Sequence, residues 1–246
     1  MNKKNNYHQQ NKSYLLSNIP LTSNSILEFG CNNGYLGYEF KKRQPFAKYF
    51  GIESVKNFNI ISKKRLDKVY KTNFEDTLKL RHNIPPLDCL IYSNSLESIN
   101  NPWELIPGHL EWLMNDGAMI LFIQNIQHWS IIQELLESSS QLSEYEILNN
   151  SFGLYSIKNI REKLFRNGLS LCSIIPIIFN LEEIIAFTSK IDQTLNNFNI
   201  DRNEFIRRIS PKQYMFVAKK GIYKRFHIDI LKTKVNPAVI ADSRID

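Results

Sequence analysis

The chain has 246 residues, a formal net charge of +7, and 43% hydrophobic against 22% charged residues. That is enough for one α/β domain with a full core, or one domain plus an appendage, in the composition range of a soluble globular protein. The longest apolar runs, such as AMILFI at 118–123, fall far short of the roughly 20 residues of a membrane span. The polar start, MNKKNNYHQQNKS, has no apolar stretch behind its lysines and does not read as a signal peptide. Cys31, Cys89 and Cys172 are scattered and form no CxxC pair, which points to a reducing, cytoplasmic setting and away from zinc. The basic residues lie in short separated groups, among them Lys41–Arg43, Lys63–Arg65 and Lys219–Lys220. They form no stripe interleaved with aromatics, so a solvated surface that suits an anionic substrate is favoured over a nucleic-acid face.

Residues 1–19 are rich in Asn, Lys and Gln and read as a loose start followed by a short helix. SILEFG at 25–30 is a predicted strand, followed by a helix that carries Tyr35, Leu36, Tyr38 and Phe40. Further strands are expected at KYFGIES (48–54), DKVYKTN (67–73) and LDCLIYS (87–93), with a helix over NIISKKRL (59–66). Asn101-Pro102 reads as cap and first residue of the next helix, with Leu105, Ile106, Leu110 and Leu113 as its apolar stripe. Pro107-Gly108 inside it predicts a kink or break, and Asn115-Asp116-Gly117 predicts its end. GAMILFIQ (117–124) follows as a strand. Helices are then expected near 128–137 and 157–167, the second with Ser156 as cap and Gly168 just past its end.

LCSIIPIIF (171–179) is the sixth strand, and two patterns like capping boxes, Asn180 with Glu183 and Asp201 with Glu204, mark two inserted helices. The first of these, within 179–198, reads either as a helix over the acceptor side or as a dimer surface or plain core helix. QYMFVAKK (213–220) is the next strand, and RFHIDILK in the tail reads as one more. Alternating strands and helices argue for a parallel sheet with helices on both faces, which binds ligands at the carboxyl ends of its strands.

The chemistry-bearing stretch is SILEFGCNNGYLG, Ser25 to Gly37. Gly30 ends a strand, Gly34 lets a backbone approach a ligand, and the helix after it presents free N–H groups. A dinucleotide fingerprint would need glycine at 32 and 35, where Asn32 and Tyr35 stand. Glu28, two residues before Gly30, would repel a pyrophosphate and suits a cofactor with a cation there. Glu53, at the end of the second strand, sits where an acid accepts both hydroxyls of a ribose; the bland alternative is a surface loop acid. The five histidines, at 8, 82, 109, 128 and 227, lack acidic neighbours at ligand spacing, so no metal is expected.

These features together resemble the class I S-adenosylmethionine-dependent methyltransferases, in particular those encoded with glycosyltransferases in bacterial and viral polysaccharide assembly. The matching blocks span about 7–220: ILEFGCNNGYLG, KKRQPFAKYFGIES, KRLDKVYKTNFED, NSLESINNPWELI, IQNIQHWSIIQELL and IREKLFRNGL. The resemblance implies a doubly wound, seven-stranded Rossmann-like sheet, mostly parallel with an antiparallel last strand and a helical insertion at about 180–210. The methyltransferase domain would be 1–220. The extension 221–246, with NPAVIADSRID, looks like the start of a further glycosyltransferase unit.

By the resemblance, Glu28, Gly30, Cys31, Asn32 and Gly34 line the methionine and ribose part of S-adenosylmethionine, and Glu53 binds the ribose. Asn73 and Phe74 flank the adenine, and Asn94 lies beside the methionine moiety; the family usually has Asp at both asparagine positions. Tyr7 and Lys12 close over the cofactor carboxylate. The implied reaction is methylation of a sugar hydroxyl, with His128 or Glu97 as general base. His128 reads equally as a helix-start residue that caps or packs on Trp129. Two departures are plain: Ser98 stands where the family often has His, and Ser151-Phe152-Gly153 replaces a His-Leu-Arg run on the acceptor side. Competing expectations are a methyltransferase acting on RNA, protein or a small molecule, and a weakened module that supports a glycosyltransferase. The run Asn94-Ser95-Leu96-Glu97 lacks the amine-methylating tetrad.

Overall fold

The computed structural model describes residues 14–93, 95–97, 99–137 and 157–221. Tyr7, Lys12, Asn94, Ser98, Ser151–Gly153, the Ser156 cap and the tail with its expected strand lie outside those residues. In chain order the elements are β1 (Ser25–Phe29), α1 (Tyr35–Arg43), β2 (Lys48–Ile52), α2 (Lys56–Ser62), β3 (Lys68–Tyr70) and a 3-10 helix (Phe74–Leu80). Then come β4 (Leu87–Ser93), α3 (Pro102–Leu110), β5 (Leu113–Gln124), α4 (Trp129–Glu137) and α5 (Ile157–Arg166). The last are β6 (Leu169–Ile178), α6 (Leu181–Asn197), α7 (Arg202–Ile209) and β7 (Pro211–Lys220).

One seven-stranded sheet has the order β3-β2-β1-β4-β5-β7-β6. Strands β1 to β5 pair in parallel, and β7 runs antiparallel between β5 and β6. The reversed last strand and the α6–α7 insertion before it stand as expected. The chain winds outward from β1 to β3, then returns to lay β4 on the other side of β1. The crevice between the carboxyl ends of β1 and β4 is therefore the switch point of the sheet, where such folds take ligands.

Both faces of the sheet are covered, so the strands read as near-continuous apolar runs. Leu27, Phe29, Leu90, Tyr92 and Leu121 face one core, while Ile26, Tyr49, Cys89, Ile91 and Phe122 face the other. Phe29 and Tyr92 stack at 4.5 Å across the β1–β4 pair. Each such large side chain contributes about 1.5–3 kcal/mol through its burial.

Several local expectations are corrected. The second helix occupies Lys56–Ser62 and not 59–66. Asn101 precedes α3 in a left-handed conformation (φ 51°) and makes no side-chain cap bond, while Pro102 holds the first turn as expected. The helix α3 continues through Pro107-Gly108 to Leu110. Its end is fixed by Lys220, whose Nζ donates to the carbonyls of Leu110 and Leu113 at 2.6 Å each, a cation at a helix C-terminus.

Asn115-Asp116-Gly117 lies within β5, not at a helix end. There Leu87 pairs with Leu113 but Cys89 with Ala118, so the extra β5 residues bulge outward, and Asp116 takes φ 64°. Asn180 is also left-handed (φ 52°), and its side chain bonds the Glu183 carboxylate in place of a backbone N–H. Asp201 does cap α7, accepting the Glu204 N–H at 2.6 Å. Gly168 follows α5 with φ 71°, as its position requires.

Candidate functional site

The turn after β1 is built by backbone geometry. Gly30, Asn32 and Gly34 have φ of 70°, 48° and 71°, which folds the chain sharply from strand to helix. The N–H groups of Gly30 and Cys31 both donate to the Ile52 carbonyl at the end of β2, at 3.0 and 3.2 Å. Gly34 N–H returns to the Cys31 carbonyl at 2.8 Å, and Asn32 Nδ2 to the Gly30 carbonyl at 2.8 Å.

The two glycines do different work. A Cβ on Gly30 would lie 3.2 Å from Ser95 Cβ, 3.4 Å from the Ser93 carbonyl and 3.8 Å from the Phe74 ring. Gly30 is thus where the turn, the exit of β4 and the start of the 3-10 helix converge. A Cβ on Gly34 would lie 3.1 Å from Ser62 Cα, so Gly34 also lets α1 pack closely on α2.

Glu53 follows β2 and is 5% exposed. Its Oε2 accepts the N–H of Asn32 and its Oε1 the N–H of Val55, each at 2.8 Å. The carboxylate is therefore fixed against the glycine turn, with further lone pairs on both oxygens. Glu53 is buried rather than on the loop surface, and the two N–H groups hold it locally. Glu28, buried in β1, accepts the Tyr49 hydroxyl at 3.1 Å. The Cys31 thiol packs beneath the turn against Gly51, and burial, then Glu28 and Glu53, push its pKa up. Cys31 is an inert core thiol whose backbone belongs to the turn.

Beyond Glu53 a groove of about 280 Å³ is lined by Ser54, Lys71, Thr72, Asn73 and Asp76. Asn73 is exposed at the head of the 3-10 helix, and Phe74 is half-buried with its ring 6.1 Å from Phe29. Glu28, Gly30, Cys31, Asn32, Glu53, Asn73 and Phe74 thus gather along the carboxyl edge of β1 to β3.

The two base candidates differ. Glu97, 6% exposed, accepts the Gln124 N–H at 2.8 Å through Oε1, while Oε2 has no hydrogen-bond partner among the described residues. Burial raises its pKa, against the pull of the Gln124 and Glu97 backbone N–H groups. His128 is 5% exposed, and its carbonyl accepts the N–H of Ile131 and Ile132 at the start of α4. Its Nδ1 accepts the Ser130 N–H at 3.4 Å and lies 2.6 Å from the Ser130 hydroxyl. An accepting Nδ1 places the ring proton on Nε2, so the free nitrogen is a donor. Burial, then the Lys212 charge, lower its pKa to about 3. The hydrogen bonds are those of the helix-cap reading.

The insertion packs beside this histidine. Trp129 lies 5.5 Å from His128 and 5.8 Å from Phe187 of α6. Asn125 Nδ2 donates to the carbonyls of Arg208 and Pro211, tying the end of β5 to the start of β7. Sequence reading missed Ser95 and Lys212. The Ser95 hydroxyl, buried beside Gly30, has no partner among the described residues, and its place just past β4 was the available signal. Burial lowers the Lys212 pKa, with Glu183 opposing. Among the described residues no cluster of His, Cys, Asp and Glu could hold a metal, and no helix is long and apolar enough to cross a membrane.

The architecture is that of the class I, Rossmann-like methyltransferases. No protein-family model matches the sequence, and no curated protein matches it. Solved structures do match. An S-adenosylmethionine-dependent methyltransferase from Archaeoglobus fulgidus is 15% identical with a TM-score of 0.60, over 86% of this chain and 94% of that one. The plantazolicin methyltransferase BpumL in complex with S-adenosylhomocysteine is 16% identical with a TM-score of 0.57, over 89% of each chain. The magnesium protoporphyrin IX methyltransferase ChlM from Synechocystis PCC 6803, with bound S-adenosylhomocysteine, is 11% identical with a TM-score of 0.57, over 87% of this chain and 84% of that one. At these identities the likeness establishes the fold.

Proposed function

We propose that this chain is an S-adenosylmethionine-dependent methyltransferase that methylates a sugar hydroxyl of a glycan or glycan precursor. The carrying observation is Glu53, a buried acid fixed by the Asn32 and Val55 N–H groups beside a glycine turn at the switch point of the sheet. The residues fit the cofactor. Glu28 and Glu53 flank the turn with negative charge, which disfavours a pyrophosphate and suits a sulfonium. Gly30 keeps the turn free of a side chain where Ser95 and Phe74 converge.

Glu53 would hold the ribose hydroxyls, and Asn73 and Phe74 the adenine along the groove. The turn Gly30–Gly34, with Glu28 beneath it, would hold the methionine and ribose part. Asn94 and Tyr7 belong to the same proposal, beside the methionine moiety and over its carboxylate.

When bound, S-adenosylmethionine supplies an electrophilic methyl group on a sulfonium. The protein aligns the acceptor oxygen with it and excludes water. A hydroxyl must also lose its proton, and of the two candidates Glu97 is the one proposed to accept it. Among the described residues its Oε2 has no hydrogen-bond partner, and burial raises its pKa. His128 shapes the acceptor wall with Trp129.

The sugar acceptor rests on the resemblance of the sequence blocks to glycan-assembly methyltransferases, since one fold serves many acceptors. Screening nucleotide sugars and short oligosaccharides for methyl transfer tests it; transfer only to RNA, protein or another small molecule would replace that acceptor. The commitment of His128 to a helix cap favours a second reading, a methyltransferase-fold module that supports a partner or fused glycosyltransferase. Cofactor binding without turnover on any acceptor would select it.

A further inference from the structure

Pro107-Gly108-His109 stands inside α3, and the chemistry above does not use it. At Gly108 the helix lies beside the 3-10 helix: a Cβ there would lie 2.5 Å from Leu78 Cδ2, the tip of a partly exposed side chain. His109 is fully buried, with Nε2 2.8 Å from Thr77 Oγ1 and Nδ1 2.7 Å from the Tyr92 hydroxyl. The Thr77 hydroxyl donates to the Phe74 carbonyl at 2.5 Å, so its oxygen accepts from His109 Nε2–H. Nδ1 must then accept from Tyr92. A directed relay results, from the Tyr92 hydroxyl through the imidazole and Thr77 to the Phe74 carbonyl, with every donor used.

The imidazole is held between Phe29, at 4.7 Å, and Trp112, at 4.8 Å. Burial lowers its pKa to about 3, so the neutral tautomer persists at physiological pH. Around the relay, Arg81 pairs with Glu111 at 2.6 Å, joining the segments that follow the 3-10 helix and α3.

We infer that His109 forms a bracket that positions the 3-10 helix and, through Thr77, sets Phe74 as the adenine wall of the cofactor site. His109 and Thr77 are then positioning residues for cofactor binding, and this rests on the cofactor reading above. A helix that merely filled the core would not need a polar relay in an aromatic layer, where unsatisfied groups are costly.

The test compares Thr77→Val, Thr77→Ser and Tyr92→Phe with wild type. S-adenosylhomocysteine affinity is measured by calorimetry, melting temperature by a thermal scan, and amide exchange without ligand. Thr77→Val is isosteric but lacks the hydroxyl; it should weaken affinity about tenfold, the size of one lost buried hydrogen bond. It should also speed exchange across 74–80. Thr77→Ser should restore affinity to within about twofold of wild type, since the hydroxyl returns. Tyr92→Phe, which keeps the ring stacking, should weaken affinity in the same direction as Thr77→Val.

Wild-type affinity in Thr77→Val and Tyr92→Phe, whatever their melting temperatures, would overturn the bracket and leave the cofactor reading standing. No binding by wild type would overturn the cofactor reading and the bracket with it.

Discussion

Both oxygens of Glu53 are already engaged by backbone N–H groups before any ligand arrives, so the carboxylate is oriented in advance. Hydrogen bonds to a charged group contribute about 1.5–3 kcal/mol each. Glu53→Ala should therefore loosen the turn and lower S-adenosylhomocysteine affinity by at least about tenfold. Gly34 makes a separate prediction. Its φ of 71° strains any side chain there, and the 3.1 Å approach to Ser62 Cα is tight. Gly34→Ala should destabilise the fold by about 1–3 kcal/mol in urea titration. These two residues also show what the sequence made legible. The turn and its acid were readable because a strand, three close glycines and a following acid are local signals. That a Cβ on Gly34 would meet α2 was not readable, because it depends on where the next helix packs.

The inserted helices α6 and α7 begin with similar sequence patterns and start differently. Asp201 accepts the Glu204 N–H, whereas Asn180 sits at φ 52° and binds a side chain. Asp201→Ala should cost about 1 kcal/mol, while Asn180→Gly should be neutral or mildly stabilising, both read by chemical denaturation. The pattern Asn-x-x-Glu could not distinguish these cases, because the chain direction out of β6 decides the conformation of residue 180. The same limit explains α3 and β5. Pro107-Gly108 reads as a breaker in isolation, yet an exposed helix break is replaced by packing against a 3-10 helix some thirty positions earlier in the chain. Asn115-Asp116-Gly117 reads as a stop, yet the β4 register uses it as a bulge. Turn-forming residues announce an irregularity without stating its kind.

At the scale of the molecule, two neutral histidines lie in the interior among the described residues, and their effect on stability has a definite sign. His109 and His128 are held near pKa 3, against 6.5 when unfolded. Below pH 6.5 the unfolded chain takes up protons at both rings and the folded chain does not. Stability from these groups is therefore complete above that pH and falls as the pH drops toward 3, by up to about 1.4 kcal/mol per pH unit for each ring. Glu97, with its pKa raised above 4.5, acts oppositely: its contribution is full at low pH and is lost as the pH rises through the raised value. Urea denaturation between pH 7 and 4.5 should show falling stability, and His109→Phe should reduce the slope. A slope unchanged by that substitution would mean that the buried ring is charged in the folded protein.

Alternating strands and helices point to a parallel sheet covered on both faces, and the family resemblance to seven strands with a reversed last one. The path by which β4 returns beside β1 is what brings Ser95, Phe74 and Gly30 together. The most direct test of the central claim is a calorimetric titration of wild type and Glu53→Ala with S-adenosylhomocysteine. One-site binding by wild type, weakened at least about tenfold by Glu53→Ala, is the result the fixed carboxylate predicts. Absence of binding at millimolar ligand, or equal affinity in the two proteins, would contradict it.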